Sequence, residues 1–130
     1  MAVAPFSYLA QIQFPPDVGA PNVQIPVSLS GQFESASTFV YKLTGVGSQA
    51  VDFGTIFPNG AKLISIEVDA DPSPAAQPIV VTFNGSLTGG VEISPGGFMT
   101  VGSPKPTAAG VLSMLITHAA DVCVRVRVLG

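Results

Sequence analysis

The residues able to do chemistry are few in this chain, and their spacing limits what they can do. His118 is the single histidine, so neither a histidine-rich metal site nor a two-histidine relay can be built within one chain. A general base needs a partner within hydrogen-bond reach. Asp121 lies close in sequence, but no nucleophile completing a triad is apparent, and a structural post at the end of a strand is expected for His118. Asp69 and Asp71 flank Ala70 where a strand candidate meets a proline-rich stretch. Carboxylates so spaced can give oxygen ligands to calcium, which takes about six or more of them. Pro72-Ser-Pro-Ala-Ala76 supplies few, so ordinary solvated acids are expected, with no metal and no cofactor.

Glu34, Glu67 and Glu92 are scattered over different segments. Spacing alone leaves a paired-carboxylate glycosidase open, but the chain has no tryptophan to serve as a sugar platform. The pairs Gly89-Gly90 and Gly96-Gly97 lack the strand-to-helix context and the lysine of a phosphate-binding loop, and read as turns. Cys123 stands alone between Val122 and Val124, which excludes an intrachain disulfide and makes it a small buried hydrophobe of a strand. Arg125 and Arg127, two residues apart, share a strand face from which they can pair with Glu67 or Asp69 or reach a partner subunit. No catalytic group emerges, and the chain is expected not to be an enzyme.

Composition points the same way. Charged residues make up 10% and hydrophobic ones 47% of 130 residues, whereas ordinary soluble domains carry roughly 25% charge. Surfaces buried between subunits are the ones that lose charge, so assembly is expected. The net charge of −3 offers no basic footprint for nucleic acid. No uninterrupted apolar run approaches the roughly 18 to 20 residues of a membrane span. The start, Met1-Ala-Val-Ala-Pro-Phe6, lacks a basic n-region and a sustained apolar h-region. Synthesis in the cytoplasm without a signal peptide is therefore expected.

The elements that must position these residues read as strands throughout. Tyr8, Ala10, Ile12 and Phe14 alternate with mostly polar neighbours until Pro15-Pro16, and Val23, Ile25, Val27 and Leu29 alternate with Gln24, Pro26 and Ser28. Pro26 cannot donate to a ladder, which assigns its segment to a sheet edge or an arm. Further strands are expected over 38–44, around Val51 and Phe53, over 64–68 after the turn Phe57-Pro-Asn-Gly60, and over 78–84 before the Asn84-Gly85 turn. Short strands at 91–94 and 98–101 complete a meander, and 111–118 with 122–129 form a hairpin through Ala119-Ala-Asp121. Val122, Val124, Val126 and Val128 share one face of the last strand, whose end should be pinned in a sheet. Fourteen glycines and twelve prolines supply the turns, and no segment holds a helical period. The expected fold class is all-β: a single sandwich or jelly roll of about eight to ten short antiparallel strands over 31–130, with residues 1–30 as an extended N-terminal arm or edge strands.

The run Ile79-Val-Val-Thr-Phe-Asn-Gly-Ser-Leu-Thr-Gly-Gly-Val-Glu-Ile-Ser-Pro-Gly-Gly-Phe98, then Ser103-Pro104, Val111-Leu-Ser-Met-Leu-Ile-Thr117 and Val122 to Gly130, resembles small structural proteins of tailed bacteriophage virions. The likeness covers roughly the last 70 residues and is one of order and style. It implies a non-enzymatic virion subunit, such as a capsid cement or decoration protein, often trimeric, on the capsid surface beside the major capsid protein or other virion proteins. A tail or baseplate component and a carbohydrate- or receptor-binding β-sandwich module are the alternative readings. The arm can add area to a neighbour, so the expected interface residues are Phe6, Tyr8, Val23, Ile25 and Val27, with Arg125 and Arg127.

Overall fold

A computed structural model describes residues 3–53, 60–70, 77–86, 88–103 and 110–130. Within them the chain is all-β, with no helix and ten antiparallel strands in three sheets. In chain order these are β1 (Ala4–Phe14), β2 (Val23–Phe33), β3 (Ala36–Leu43), β4 (Gly47–Asp52), β5 (Leu63–Val68), β6 (Ile79–Phe83), β7 (Val91–Ile93), β8 (Phe98–Gly102), β9 (Ser113–His118) and β10 (Val122–Leu129). β1 and β2 pair only with each other, as a long two-stranded ribbon. The other eight make two four-stranded sheets, ordered β3-β10-β5-β8 and β4-β9-β6-β7. The pairings nest: β3 with β10, β4 with β9, β5 with β8 and β6 with β7.

Period-two alternation decides which side chains enter the core. Val122, Val124, Val126 and Val128 of β10 and Ile64, Ile66 and Val68 of β5 are buried from one sheet. Ile79 and Val81 of β6, Ile93 of β7, Met114 and Ile116 of β9, and Val51 of β4 are buried from the other. With Phe53 and Ala61 they form a single hydrophobic cluster, flanked by half-buried Phe39, Tyr41 and Leu43 of edge strand β3. The end of β10 is held by reciprocal bonds between Gly130 and Ser35, with Glu34 N also donating to Gly130 O.

Two expectations about connectivity are overturned. β9 and β10 do not form a hairpin, because β9 lies between β4 and β6 in one sheet and β10 between β3 and β5 in the other. Ala119-Ala-Asp121 contains no residue at positive φ, the conformation that tight hairpin turns require, and the chain crosses between sheets instead. That crossing is tied to the parallel one from β3 to β4: Gly45 N donates to Asp121 Oδ1 at 2.7 Å, and His118 Nδ1 lies 2.7 Å from Gly45 O. The expected meander also breaks, since β7 pairs with β6 while β8 joins β5 in the other sheet. The Asn84-Gly85 turn does form, with φ of 53° and 74° and Ser86 N donating to Phe83 O. Asn84 then staples it to the segment leading into β9, its Oδ1 accepting from Leu112 N at 2.8 Å and its Nδ2 donating to Gly110 O. The expected turn at Phe57-Pro-Asn59 and the Asp71–Ala76 stretch lie outside the described residues.

Ile66 is fully buried at the centre of the cluster. Ile66→Ala should therefore lower the unfolding free energy by about 2–5 kcal/mol, read as a shifted midpoint in urea. A shift below 1 kcal/mol would place the core elsewhere.

Candidate functional site

The feature that stands apart from the core is the ribbon. Its register pairs Ala4 with Phe33 and Phe14 with Val23, without a bulge. Cross-strand partners share a face, so one face carries Ala4, Phe6, Tyr8, Ala10, Ile12 and Phe14 opposite Phe33, Gly31, Leu29, Val27, Ile25 and Val23. Every one of these is apolar, aromatic or glycine. The reverse face carries Ser7, Gln11, Gln13, Gln24, Ser28, Ser30 and Gln32, interrupted by Pro5, Leu9 and Pro26. Asp17, in the turn between the strands, is the only charged side chain in residues 1–33. The turn is fixed by Ala20 N donating to Asp17 O and by Gly19 at φ 82°.

The inner half of the apolar face is anchored to the body. Phe6 is buried, its ring edge-on to Phe33 with centroids 6.3 Å apart. Leu29 sits against Gly102 of β8 so closely that a Cβ there would fall 2.2 Å from its Cδ2, and any larger residue would force the Leu29 side chain to move. Lys62 Nζ donates to Gln32 O at 2.8 Å. Farther out, the face and β8 diverge around an open groove of about 460 Å³, lined by Tyr8, Ala10, Ile12, Val27 and Leu29 on one side and Phe98, Met99 and Thr100 on the other. Ile12, Phe14, Val23, Ile25 and Val27 are each 40–53% exposed and Phe98 is 69% exposed. Isolated exposed hydrophobics are ordinary, but a contiguous patch marks an interaction surface.

The expected interface residues therefore divide. Tyr8, Val23, Ile25 and Val27 lie together on the apolar face, whereas Phe6 is buried at its root. Arg125 and Arg127 lie on the exposed face of the β3-β10-β5-β8 sheet, engaged within the chain. Arg125 Nη2 donates to both Asp69 carboxylate oxygens at 3.0 and 3.2 Å, and Arg127 Nη1 donates to Glu67 Oε1 at 3.0 Å. Half-exposed pairs of this kind add little stability, but they engage both guanidinium groups within the chain. Ile12 and Phe14 belong with the patch, a membership the alternation over Tyr8–Phe14 already carries. Phe98 was not legible as a site residue, because its neighbour across the groove is fixed only by tertiary structure.

The reactive side chains are dispersed or engaged. His118 is buried at the crossover with Nδ1 on Gly45 O. Glu67 is bound to Arg127 on one sheet and Glu92 lies on β7 of the other. Among the described residues no three His, Cys, Asp or Glu side chains gather to hold a metal ion. Asp71 lies outside them. Cys123 departs from the buried position expected for it. It is half-buried on the same face as Arg125, beside Asp69, because the core face of β10 belongs to the four valines. Burial pushes its thiol pKa up, and a hydrogen bond to Asp69 with that carboxylate's charge pushes it further.

Comparison with family models, with curated proteins and with solved structures gave no match.

A thiol with a raised pKa holds less thiolate at neutral pH, and the thiolate is what reacts. Iodoacetamide should therefore alkylate Cys123 several-fold more slowly than free cysteine at pH 7.5, with the deficit shrinking as pH rises. Asp69→Asn, which removes the carboxylate's contribution, should speed the reaction at pH 7.5. A wild-type rate equal to that of free cysteine contradicts this environment.

Proposed function

We propose that the protein is a non-enzymatic structural subunit of a tailed-phage virion, of the capsid cement or decoration kind, acting through protein–protein contacts at the capsid surface. The observation that carries the reading is the uncharged, contiguous apolar face of the β1-β2 ribbon, exposed over its outer half. An apolar surface with no charged group suits a protein partner and offers no cation to neutralise the phosphates of a nucleic acid. The scarcity of charge over the whole chain and the resemblance of its last 70 residues to virion proteins support the same role.

The body supports it as well. We read β3–β10 as a jelly roll, a β-sandwich of two four-stranded sheets. Nested pairing of first with last, second with next to last, and so on inward is what a long hairpin produces when it wraps into two Greek keys. The shared core of the two sheets agrees with that reading. Jelly rolls recur in capsid and lectin domains, and fold alone does not choose between them. The ribbon favours assembly over glycan binding, because its face offers aliphatic side chains where sugar sites need amides and aromatic platforms.

Co-sedimentation with the capsids tests this. Full-length protein should pellet with the shells. Ile12→Gln/Ile25→Gln and a chain beginning at Glu34 should stay in the supernatant while keeping a cooperative thermal transition. Variants that pellet as well as the wild type would remove the ribbon from the role. A wild-type protein with no affinity for capsids would remove the role itself.

A further inference from the structure

We infer that the outer half of the ribbon's apolar face is covered by the same face of a second copy of this chain, the two ribbons stacked antiparallel about a twofold axis. The inference rests on the assembly reading above and names the first partner of that surface.

The argument begins with what the chain can cover by itself. Eleven paired residues per strand give the ribbon a length of about 35 Å at 3.3 Å per residue. β8, the strand beside it, has five residues and spans about 17 Å. The body closes on the ribbon through Leu29 on Gly102 and Lys62 on Gln32, while Phe98, Met99 and Thr100 of β8 stand across an open groove from Ala10, Ile12 and Val27 without closing on them. A two-stranded ribbon is marginal in water unless its apolar face is packed. The incompletely covered rows are those of Ala10 with Val27, Ile12 with Ile25, and Phe14 with Val23, of which only Ala10 is half-buried.

Charge then selects the occupant. The exposed rows carry no ionisable group, so a charged partner surface would lose hydration there and gain no ion pair. The complement must itself be uncharged, apolar and extended, and among the described residues the face itself is such a surface. Asp17 sets the orientation. Stacked antiparallel, the two tips lie at opposite ends with their carboxylates far apart, whereas a parallel bundle would gather them. The antiparallel arrangement also lays the tip of each ribbon over its partner's groove, where Phe98 stands 69% exposed. Face-to-face sheets pack about 10 Å apart, and an isologous contact closes on itself without leaving a sticky end.

The area fits a weak, reversible dimer. With roughly 100 Å² for a fully exposed aliphatic side chain and roughly 200 Å² for an aromatic one, the exposed parts of Ile12, Phe14, Val23, Ile25, Val27 and Phe98 amount to about 400 Å² per copy. Two copies together thus bury about 800 Å² from these side chains alone, within the range of transient protein contacts.

Stacking these three rows on themselves puts the twofold axis at the Ile12–Ile25 row, with Val27 and Phe14 each two residues away from it. The test uses full-length protein in a Cys123→Ser background, with single cysteines at Ile25, Val27, Phe14 and, on the reverse face, Gln24, probed with a short bis-maleimide. Ile25→Cys should give covalent dimers at least tenfold faster than Val27→Cys, Phe14→Cys or Gln24→Cys. Light scattering should give a dimer for the wild type, and a monomer of unchanged circular dichroism for Ile12→Glu/Ile25→Glu. Equal cross-linking on both faces, fastest cross-linking at Phe14, or a wild-type monomer at 100 µM overturns the inference. A monomer that still pellets with capsids through its ribbon overturns this inference alone. A ribbon-dependent dimer indifferent to capsids overturns the virion role alone.

Discussion

The arrangement of this molecule turns on an apolar surface that its own body is too short to cover. Leu29 closes on Gly102, but beyond that contact the ribbon stands apart from β8 across an open groove. Water is a poor neighbour for Ile12, Phe14, Val23, Ile25 and Val27 together, since fully burying an exposed aliphatic or aromatic side chain is worth about 1.5–3 kcal/mol and roughly half of each remains to be covered. A free monomer would leave that stabilisation unrealised. The same constraint contributes to the composition, because residues 1–33 hold a single charged residue, Asp17, although the rest of the chain is itself poor in charge.

The eight remaining strands provide a rigid mount. Their nested pairing buries side chains of both four-stranded sheets in one cluster, and the two crossings from sheet to sheet are locked together at Gly45, His118 and Asp121. His118 and Asp121, the pair most suggestive of acid–base chemistry in sequence, are thus occupied in holding a corner. Arg125 and Arg127 are likewise engaged with Asp69 and Glu67 across β10 and β5. Polar groups in this protein mainly fix backbone and balance charge, and the apolar ribbon is left as the surface with unmet interactions.

Local pattern made much of this legible. The alternation of Val122 to Leu129 fixed a strand and its buried face, the alternation over Tyr8–Phe14 and Val23–Leu29 identified two strands with apolar faces, and Pro26 kept the second out of a sheet centre. What escaped was long-range. Three residues between β9 and β10 suggested a hairpin, yet those strands belong to different sheets, because a short connection without positive φ can bridge two layers as readily as it can reverse within one. Cys123 is the exception, because the period of two that buries Val122 and Val124 itself puts it on the opposite face. The mutual pairing of β1 and β2, the fit of Leu29 on Gly102 and the exposure of Phe98 depend on where distant segments meet, which no local pattern encodes.

Hydrogen exchange across a concentration series addresses the central claim directly, since it reads the ribbon without altering a residue. If the apolar face is covered by protein when the molecule works, amides of β1 and β2 should approach the protection of β10 at high concentration and lose it on dilution, while β10 stays unchanged. Ribbon amides that exchange at one rate throughout the series, in free protein and in assembled particles alike, would contradict the account.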